Sequence, residues 1–366
     1  MKILVLYQSP WWNAAAYYAY NLTLSLTRLG HKVIFVSKNG TPVANKILLK
    51  NYSLFDINLF ENNPLNFYSN INKVKQIIFE QQIDCLIPVS APGHIICGII
   101  KKMYKPEIPI VKICLDNMSP TNNILNKYLH NHLTDYFIFP GESTRKNYKK
   151  FRLKDSMLLH APIDAKDFSD FKPDLDLKDY YKINGDKTVI SFVGRFSPEK
   201  GIFFLLQIID SVLKKTDKAF FVLSGSEEQI KFADVKEKID ELGISKHIKI
   251  INKVDDVRKI LSITDIGLLS SRFSEYICRI AMEFMSSGIP VVAPDVNVIP
   301  EVVGDNSHGF IYSLNDFNQA ADFLVRLIND KPLLNSMGEN SRERIFRIYD
   351  NPVFDGQIKS VLEKVT

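Results

Sequence analysis

The sequence predicts an α/β protein with two doubly wound parallel sheets. Short runs of strand-forming residues alternate with amphipathic helical patterns along the chain, which is typical of strand–helix–strand units. A polar stretch at 166–187 interrupts the alternation, which then begins again. The 366 residues, 46% of them hydrophobic, suffice for about two domains. We expect these domains to face each other across a cleft.

Six strands are predicted before the polar stretch and five after it. Ligands of such sheets bind outside the carboxyl ends of the strands, so the loops that follow the strands are the candidate site. The predicted strands are 3–7, 32–37, 85–89, 108–115, 136–139 and 156–160, then 189–193, 219–224, 248–251, 266–269 and 291–293.

Cysteine, histidine and hydrophobic patterns argue against several protein classes. Cys85, Cys97, Cys114 and Cys278 lie in apolar segments without Cys-x-x-Cys spacing, so we expect buried thiols rather than disulfides or a zinc site. No His-x-x-x-His pair supports a metal site. The first apolar run is too short for a signal-peptide core, and no run approaches the roughly 18 residues of a membrane span. A cytoplasmic protein is expected.

Positive charge is concentrated in the first half of the chain. Residues 1–170 carry +8 and the remainder −3. The densest cluster favours contact with an anionic membrane face or a phosphate-bearing acceptor, and the alternative is a solvated helix face. No nucleic-acid-binding motif occurs, so no nucleic acid partner is expected. This basic cluster consists of Arg145, Lys146, Lys149, Lys150, Arg152 and Lys154.

The stretch FVGRFSPEKG at 192–201 is predicted to be a strand-to-helix turn. Such turns direct backbone N–H groups and a helix dipole at anions, and Arg195 and Lys200 add positive charge. The alternative is a surface loop with an ordinary Glu199–Lys200 pair. Neither G-x-G-x-x-G nor G-x-x-x-x-G-K-[ST] occurs, which argues against dinucleotide-binding oxidoreductases and P-loop enzymes.

A second informative stretch covers residues 274–293. Glu275 is predicted to lie in a loop before a helix whose second turn carries Glu283, and Gly288 ends that helix. A carboxylate there suits the two hydroxyls of a ribose, and the N–H groups of 277–279 could face phosphate oxygens. The alternative for Glu283 is an ordinary helical pair with Arg279.

The order of these motifs over residues 194–303 resembles the retaining glycosyltransferases of family 4 in glycosyltransferase group 1, which have the GT-B fold. Weaker matches at 29–33 and 162–168 extend the resemblance to the first half. The motifs are Gly194-Arg195, Glu199-Lys200-Gly201, Leu223-Ser224-Gly225, Glu275, Glu283, Gly288 to Ala293 and Pro300-Glu301-Val302-Val303.

The resemblance implies transfer of a sugar from a nucleotide diphosphate sugar, with UDP or GDP as the expected nucleotide and no further cofactor or metal. The expected acceptor is a glycan or a lipid-linked molecule of cell-envelope polysaccharide or lipopolysaccharide biosynthesis. Residues 1–170 would bind the acceptor, residues 171–351 would bind the donor, and a helix at 352–366 would cross back to the first domain. Peripheral contact with the inner membrane face fits the basic first half.

The resemblance also implies roles for individual residues. Arg195 and Lys200 match the residues that bind the diphosphate, Glu275 matches the glutamate that contacts the transferred sugar, and Glu283 matches the one that binds the ribose. The positive charge of Arg195 and Lys200 makes a metal unnecessary. The remaining donor-binding candidates are Gly194, Gly225, Lys253, Val254, Ile277, Cys278 and Arg279.

The chain departs from the family pattern in three places. Tyr276-Ile277-Cys278 replaces a usual Gly-Phe-Gly, which crowds the approach to phosphate. On the acceptor side, Trp11, Trp12, Asn13 and Ala14 stand where two glycines are usual; the tryptophans are either a stacking platform or core aromatics. Leu115 replaces a frequent histidine, so Asp116 becomes the candidate contact to the transferred sugar and His94 the second candidate.

Two alternative functions stay open from the sequence. A nucleotide-sugar epimerase of the same fold would use the donor without an acceptor, and a catalytically silent GT-B subunit would only bind. The joint retention of Arg195, Lys200, Glu275 and Glu283 argues against the silent subunit. Asp174-Leu175-Asp176 resembles a metal-binding Asp-x-Asp of another glycosyltransferase fold, but it lies in the polar stretch between the domains.

Overall fold

The computed structural model describes residues 1–61, 63–115, 119–169, 174–183, 185–273 and 275–365. The chain forms two compact units, of which the first comprises Met1–Pro162 and Asn351–Thr366 and the second Ile163–Asp350. The chain enters the second unit earlier than the predicted boundary at 170/171. The reason is local pairing: the N–H of Ile163 donates to the carbonyl of Tyr349 at 2.8 Å, and the N–H of Ala165 donates to Asp350 at 3.1 Å.

Among the residues that the structure describes, the first unit contains seven parallel strands in two sheets. The sheets have the orders β3-β2-β1-β4 and β5-β6-β7, and a bridge between Leu86 and Ile110 joins them. The strand order therefore reverses direction between β1 and β4. The strands are β1 Lys2–Leu6, β2 Lys32–Ser37, β3 Ser53–Asp56, β4 Cys85–Pro88, β5 Val111–Ile113, β6 Tyr136–Phe139 and β7 Ser156–Leu158.

Over its described ranges, the second unit contains one parallel sheet of six strands, in the order β10-β9-β8-β11-β12-β13. Its order reverses between β8 and β11, as the first unit's order does between β1 and β4. The strands are β8 Thr188–Val193, β9 Ala219–Gly225, β10 Ile248–Asn252, β11 Ile266–Leu268, β12 Val291–Pro294 and β13 Gly309–Tyr312.

Helices connect the strands in both units. The first unit holds α1 Ala14–Arg28, α2 Pro42–Leu49, α3 Pro64–Glu80, α4 Ala91–Met103, α5 Ile124–Tyr128, which continues into a π-helical turn Leu129–Leu133, and α6 Glu142–Arg145. The second holds α7 Lys166–Ser169, α8 Leu175–Tyr180, α9 Ile202–Leu213, α10 Phe232–Glu241, α11 Arg258–Leu261, α12 Arg279–Ser286, α13 Ile299–Val303, α14 Phe317–Asn329 and α15 Lys331–Ile348, and α16 Asn351–Val365 belongs to the first unit.

Hydrophobic burial explains why these segments are strands and helices. The central strands are apolar on both faces, as parallel sheets covered by helices require. The helices bury one face each: α9, for example, buries Leu205, Ile209 and Val212 in the second unit's core. In the first unit, α16 packs Phe354 edge-on against Tyr18, with ring centroids 5.6 Å apart.

All eleven predicted strands are present, with ends shifted by a few residues. The largest change is at 108–115, where only Val111–Ile113 forms a strand, because Pro109 lacks the N–H that a ladder needs. Two strands were missed, β3 and β13. Both lie at a sheet edge, and β3 is only partly buried, so it lacks the continuous apolar signal of a central strand.

The structure confirms that all four cysteines are buried, and among the described residues none forms a disulfide. It also separates the basic cluster from the two aromatic residues that lie between its members in the sequence, Tyr148 and Phe151. The basic side chains are exposed, whereas Tyr148 and Phe151 are buried with Phe137 and Phe139. Over the described ranges, no helix combines the length and hydropathy that crossing a membrane requires.

Candidate donor and acceptor sites

The candidate donor site lies at the carboxyl ends of β8 and β11, where the strand order of the second unit reverses. Ligands of doubly wound sheets bind at such a point. Gly194 follows β8 directly, and its N–H donates to the carbonyl of Ser224 at 2.9 Å. A Cβ atom on Gly225 would overlap the carbonyl oxygen of Gly194. The two predicted glycines therefore bring two loop backbones into close contact.

The predicted turn between β8 and α9 is confirmed. Phe196 is fully buried between Phe192 and Phe232, and Pro198–Lys200 forms a 3₁₀ turn. Gly201 begins α9 with φ +66°, in the left-handed region. The hydroxyl of Ser270 donates to the carbonyl of Lys200 at 2.7 Å. These contacts fix the backbone that carries Arg195 and Lys200.

The structure brings Lys200 and Glu275 together. The ammonium of Lys200 forms an ion pair with the carboxylate of Glu275. The hydroxyl of Ser271 donates to the same carboxylate oxygen at 2.7 Å. Both charged side chains are largely shielded from solvent. A hydrogen-bonded pair in this position places a cation and an anion side by side at the end of the sheet.

Arg195 has a different partner. Its guanidinium donates to Glu228 at 2.6 Å, in the loop that follows β9. Both side chains are well exposed, and a surface pair of this kind contributes only about 0–1 kcal/mol to stability. A ligand with more negative charge could therefore compete for the guanidinium at small cost.

The start of α12 shows the predicted departure from the family pattern. Cys278 has φ +54°, a conformation that favours glycine, and its side chain is buried. Burial also raises the pKa of its thiol. The segment keeps the backbone path of a glycine while it carries a side chain.

Glu283 lies in the second turn of α12 and is buried. The Nε of Arg279 lies 2.7 Å from its carboxylate, so the helical pair considered as an alternative does form. Burial nevertheless raises the pKa of Glu283 to about 7, and Arg279 opposes this shift only in part. The role of Glu283 towards a ribose stays a prediction.

The other donor-side candidates differ in accessibility. Lys253 is exposed in the loop after β10, whereas Val254 is half-buried against a small cluster that includes Ile251 and Ile260. Ile277 is buried. Only backbone atoms of Ile277 and Cys278 could therefore reach a ligand without rearrangement.

The first unit has a cleft of about 220 Å³ between the carboxyl ends of β1 and β4. Asn13 lines one side of the cleft and is fixed by three hydrogen bonds. Its amide oxygen accepts from the N–H of Ala16 and from the hydroxyl of Tyr7, both at 2.9 Å. Its amide NH₂ donates to the hydroxyl of Ser9 at 3.2 Å. The lining residues are Tyr7, Gln8, Ser9, Pro10, Asn13, Ala15, Phe60, Val89, Ser90, Ala91, Pro92 and Leu115.

Among the predicted acceptor-side residues that the structure describes, Asn13 lines this cleft. Trp11 is 73% exposed, which contradicts the core alternative for it. Trp12 is half-buried, edge-on to Tyr20, with the ammonium of Lys46 4.8 Å from its ring centroid. Ala14 is the first residue of α1.

His94 is not among the residues that line the cleft. It is buried, its Nε2 lies 2.8 Å from the hydroxyl of Thr134, and burial together with Lys112 and His130 holds its pKa well below the usual value. Its surroundings therefore give no support to an acceptor contact. Asp116, the first candidate for the sugar contact, lies outside the described residues.

Comparisons with known proteins address this pair of sites. Residues 175–344 match the family described as glycosyl transferases group 1. The second unit, Ile163–Asp350, contains the whole of that match. The second unit is therefore similar to this family.

Two curated proteins and one solved structure are also similar to this chain. N-acetyl-alpha-D-glucosaminyl L-malate synthase of Bacillus anthracis is 22% identical over 92% of the chain and 90% of its own length. Phosphatidyl-myo-inositol mannosyltransferase of Mycobacterium leprae is 30% identical over 49% of the chain and 47% of its own length.

The crystal structure of Anabaena HepE in complex with UDP matches all of the chain and all of that protein, with a TM-score of 0.85 and 18% identity. At this identity the likeness shows the fold alone. Together with the two parallel α/β units, it establishes the GT-B fold for this chain.

Sequence reasoning missed several residues of these sites. Glu228 and Ser271 carry no motif of their own, and their roles arise from partners 33 and 4 residues away. Phe60 was missed because it precedes a helix that gave no site signal. Asp174, by contrast, caps α8 by accepting from the N–H of Leu177 at 2.9 Å, which accounts for its place before a helix.

Proposed function

We propose that this glycosyltransferase moves a sugar from a nucleoside diphosphate sugar to a hydroxyl of a glycan or lipid-linked acceptor, with retention at the anomeric carbon and without a metal. The observation that carries the proposal is the pairing of Lys200 with Glu275 at the end of the second unit's sheet. One member suits a diphosphate and the other suits sugar hydroxyls, as the family resemblance requires.

The chemistry of transfer explains why both charges are useful. The bond between the anomeric carbon and the diphosphate oxygen breaks, and a bond to the acceptor oxygen forms on the same face. The proton of the acceptor hydroxyl passes to the released diphosphate. Positive charge develops on the sugar ring and negative charge on the diphosphate, so fixed partners for both stabilise the transition state more than the ground state.

Arg195 and Lys200 would supply the positive charge for the diphosphate. Lys200 would exchange its bond to Glu275 for one to a phosphate oxygen, and Glu275 would then accept from a sugar hydroxyl. Arg195 would leave Glu228, to which it is held only by an exposed pair. Because Arg195 and Lys200 would neutralise the diphosphate, we propose that the reaction needs no metal.

UDP is the nucleotide we propose first, because a protein with this fold has been crystallised with it. Glu283 is proposed to bind the ribose hydroxyls from the inner side of α12. It would need to exchange its bond to Arg279, and Arg279 would then be released towards the phosphates.

Thermal stabilisation tests the donor site. A nucleotide at about 100 times its dissociation constant adds about 2.7 kcal/mol to the free energy of unfolding. We expect one of UDP, GDP, CMP and ADP to stabilise the wild type but not Arg195→Ala or Lys200→Ala. Lys218→Ala is the matched control, because Lys218 is exposed at the amino end of β9, away from the strand ends that carry the site.

Product analysis separates the remaining alternatives. Retention predicts one anomer, identified by NMR, and activity that survives chelation with EDTA. An epimerase would convert the donor sugar without an acceptor, and a silent subunit would bind the nucleotide without turnover. Failure of all four nucleotides to stabilise the wild type would overturn the proposed donor site.

We also propose that the first unit contacts an anionic membrane from the cytoplasmic side. The support is the exposed basic cluster, whose Arg152 N–H donates to Asn131 in the element that follows α5. Ile124 and Leu125, at the start of α5, are highly exposed and apolar, so exposed hydrophobic side chains lie in the helix that precedes Asn131.

Vesicle co-sedimentation tests this contact. We expect binding to vesicles with phosphatidylglycerol but not to pure phosphatidylcholine, and weakening by salt. The double variant Lys149→Ala/Lys150→Ala should lose about tenfold or more in binding. Lys236→Ala/Lys238→Ala, which removes the same charge from the exposed face of α10, should bind as the wild type does. Equal loss in both doubles would contradict a defined surface.

A further inference from the structure

The cleft of the first unit has a consistent chemical character. Its twelve lining residues are all among the described ones, and none has a charged side chain. The polar groups that line it are hydroxyls and amides, from Tyr7, Ser9, Asn13 and Ser90 among others. The rest of the lining is apolar. Such a mixture suits an uncharged molecule that has both hydroxyl groups and an apolar face.

Phe60 supplies the aromatic part of this lining. Its side chain is 49% exposed, and the three residues before it are held in place. Before it, Ile57 and Leu59 are buried in the first unit's core. The backbone carbonyl of Asn58 accepts from the side chain of Asn70 at 2.7 Å.

Gln8 ties this loop to the end of β1. Its buried amide donates to Asn58 at 2.8 Å and accepts from the N–H of Leu59 at 2.7 Å. Both of these hydrogen bonds join the Gln8 side chain to the two residues directly before Phe60. A buried polar contact of this kind fixes the loop, so the ring of Phe60 is presented to the cleft in a defined position.

Uncharged side chains cap the two helix ends beside the cleft. Asn13 caps α1 by accepting from Ala16, and Ser90 caps α4 by accepting from Gly93 at 3.4 Å. The hydroxyl of Ser9 accepts from Asn13 and from the N–H of Trp11, both at 3.2 Å, so its own proton can be donated to a ligand. A carboxylate in this cleft would lose water without gaining a charged partner from the lining.

We propose that this cleft binds the acceptor through an uncharged sugar ring, with Phe60 stacked on the apolar face of the ring and Ser9, Asn13 and Ser90 bonded to its hydroxyls. The inference rests on the proposed function and deepens it by naming the acceptor class. A cleft of about 220 Å³ is smaller than the roughly 300–1,000 Å³ of drug-sized sites, so it holds one ring rather than an extended chain. The proposal predicts that small dicarboxylates such as L-malate do not bind here.

The test compares acceptors with purified full-length protein and UDP-sugars. Transfer and saturation-transfer NMR binding are measured for para-nitrophenyl glycosides of neutral hexoses and for L-malate. UDP stabilisation and slow hydrolysis of the UDP-sugar are recorded in parallel. We expect saturable binding of at least one glycoside, transfer to it, and neither with L-malate.

The variants probe Phe60 directly. Phe60→Ala should raise the acceptor KM roughly 2- to 10-fold with kcat unchanged, because stacking is lost equally from the bound acceptor and the transition state. Phe60→Tyr should restore the wild-type KM. Phe79→Ala is the control, since Phe79 is 52% exposed in the same unit but does not line the cleft.

Each outcome bears on one proposal. Binding or transfer with L-malate, no saturable binding of any glycoside, or an unchanged acceptor KM in Phe60→Ala would overturn the acceptor inference while donor binding and hydrolysis still stood. Failure of UDP, GDP, CMP and ADP alike to stabilise the wild type would instead overturn the proposed function.

Discussion

A Cβ atom on Gly225 would overlap the carbonyl oxygen of Gly194. The obstacle is backbone rather than a movable side chain, so Gly225→Ala must separate the two loops. We expect it to lower the free energy of unfolding by about 1–3 kcal/mol and to abolish nucleotide binding. Urea unfolding and UDP titration measure the two effects. Gly185→Ala is the control because a Cβ atom there meets nothing within 4 Å, and equal stability of both variants would contradict the predicted overlap.

At position 278 we expect the glycine variant to be more stable than the alanine variant, which reverses the usual order. At most positions alanine is more stable than glycine, but φ +54° penalises any Cβ. We expect Cys278→Gly to be more stable than Cys278→Ala by about 1 kcal/mol in urea unfolding. At Cys97, which is buried inside α4, the same two variants should rank in the opposite order. The same ranking at both positions would rule out backbone strain at Cys278.

Glu283 predicts a pH dependence of stability. Its pKa rises from an ordinary 4.5 to about 7 in the folded protein, so the native state binds more protons than the unfolded state between these values. The free energy of unfolding should therefore fall by about 3 kcal/mol as pH rises from 4.5 to 7. Glu283→Gln should lack this component. The difference between the two proteins in urea unfolding at several pH values measures it, and parallel curves would contradict the shift.

The exposed pair of Arg195 and Glu228 predicts a gain of affinity on mutation. Glu228→Gln removes the charge that competes with a diphosphate for Arg195, and such pairs contribute about 0.2–1 kcal/mol. UDP should bind roughly 1.5- to 5-fold more tightly by calorimetry. Glu237→Gln, on the exposed face of α10, should leave affinity unchanged. Weaker binding by Glu228→Gln would show that Glu228 orients Arg195 productively.

Lys200→Met predicts a large loss of catalysis. Removal of one group that stabilises the charge developing in the transition state commonly lowers the rate by roughly 10²–10³-fold. Stability should fall too, because the shielded carboxylate of Glu275 keeps the hydroxyl of Ser271 but loses its cation. Single-turnover kinetics with saturating donor separates the rate from binding. Lys200→Met combined with Glu275→Gln should recover stability but not activity, and full recovery of activity would contradict the proposed role.

The central strands and the turn at 192–201 could be predicted because their signals are local. Continuous apolar runs mark buried parallel strands, and Gly-Arg followed by Pro-Glu-Lys-Gly marks a turn that leads into a helix. The pairing of Lys200 with Glu275 was not predictable, since these residues are 75 positions apart and the sequence assigned them to different parts of the donor.

The acceptor side was harder to predict for a physical reason. Trp11 and His94 were predicted because their residue types often bind ligands. Trp11, however, is exposed and is not among the residues that line the cleft. His94 is buried and lies within hydrogen-bond distance of Thr134. Phe60 and Gln8 gain their importance from long-range contacts between the β1 and β3 loops. Composition and periodicity carry no information on such contacts.

The chain enters and leaves the second unit near the hydrogen-bonded residues Ile163 and Tyr349, and this arrangement has a consequence for biosynthesis. The second unit is inserted between two parts of the first, so the ribosome completes it before α16 has been made. Until Phe354 reaches Tyr18, the face of α1 that it covers stays open to solvent. The first unit therefore cannot complete its fold until α16 has been synthesised, after the whole of the second unit.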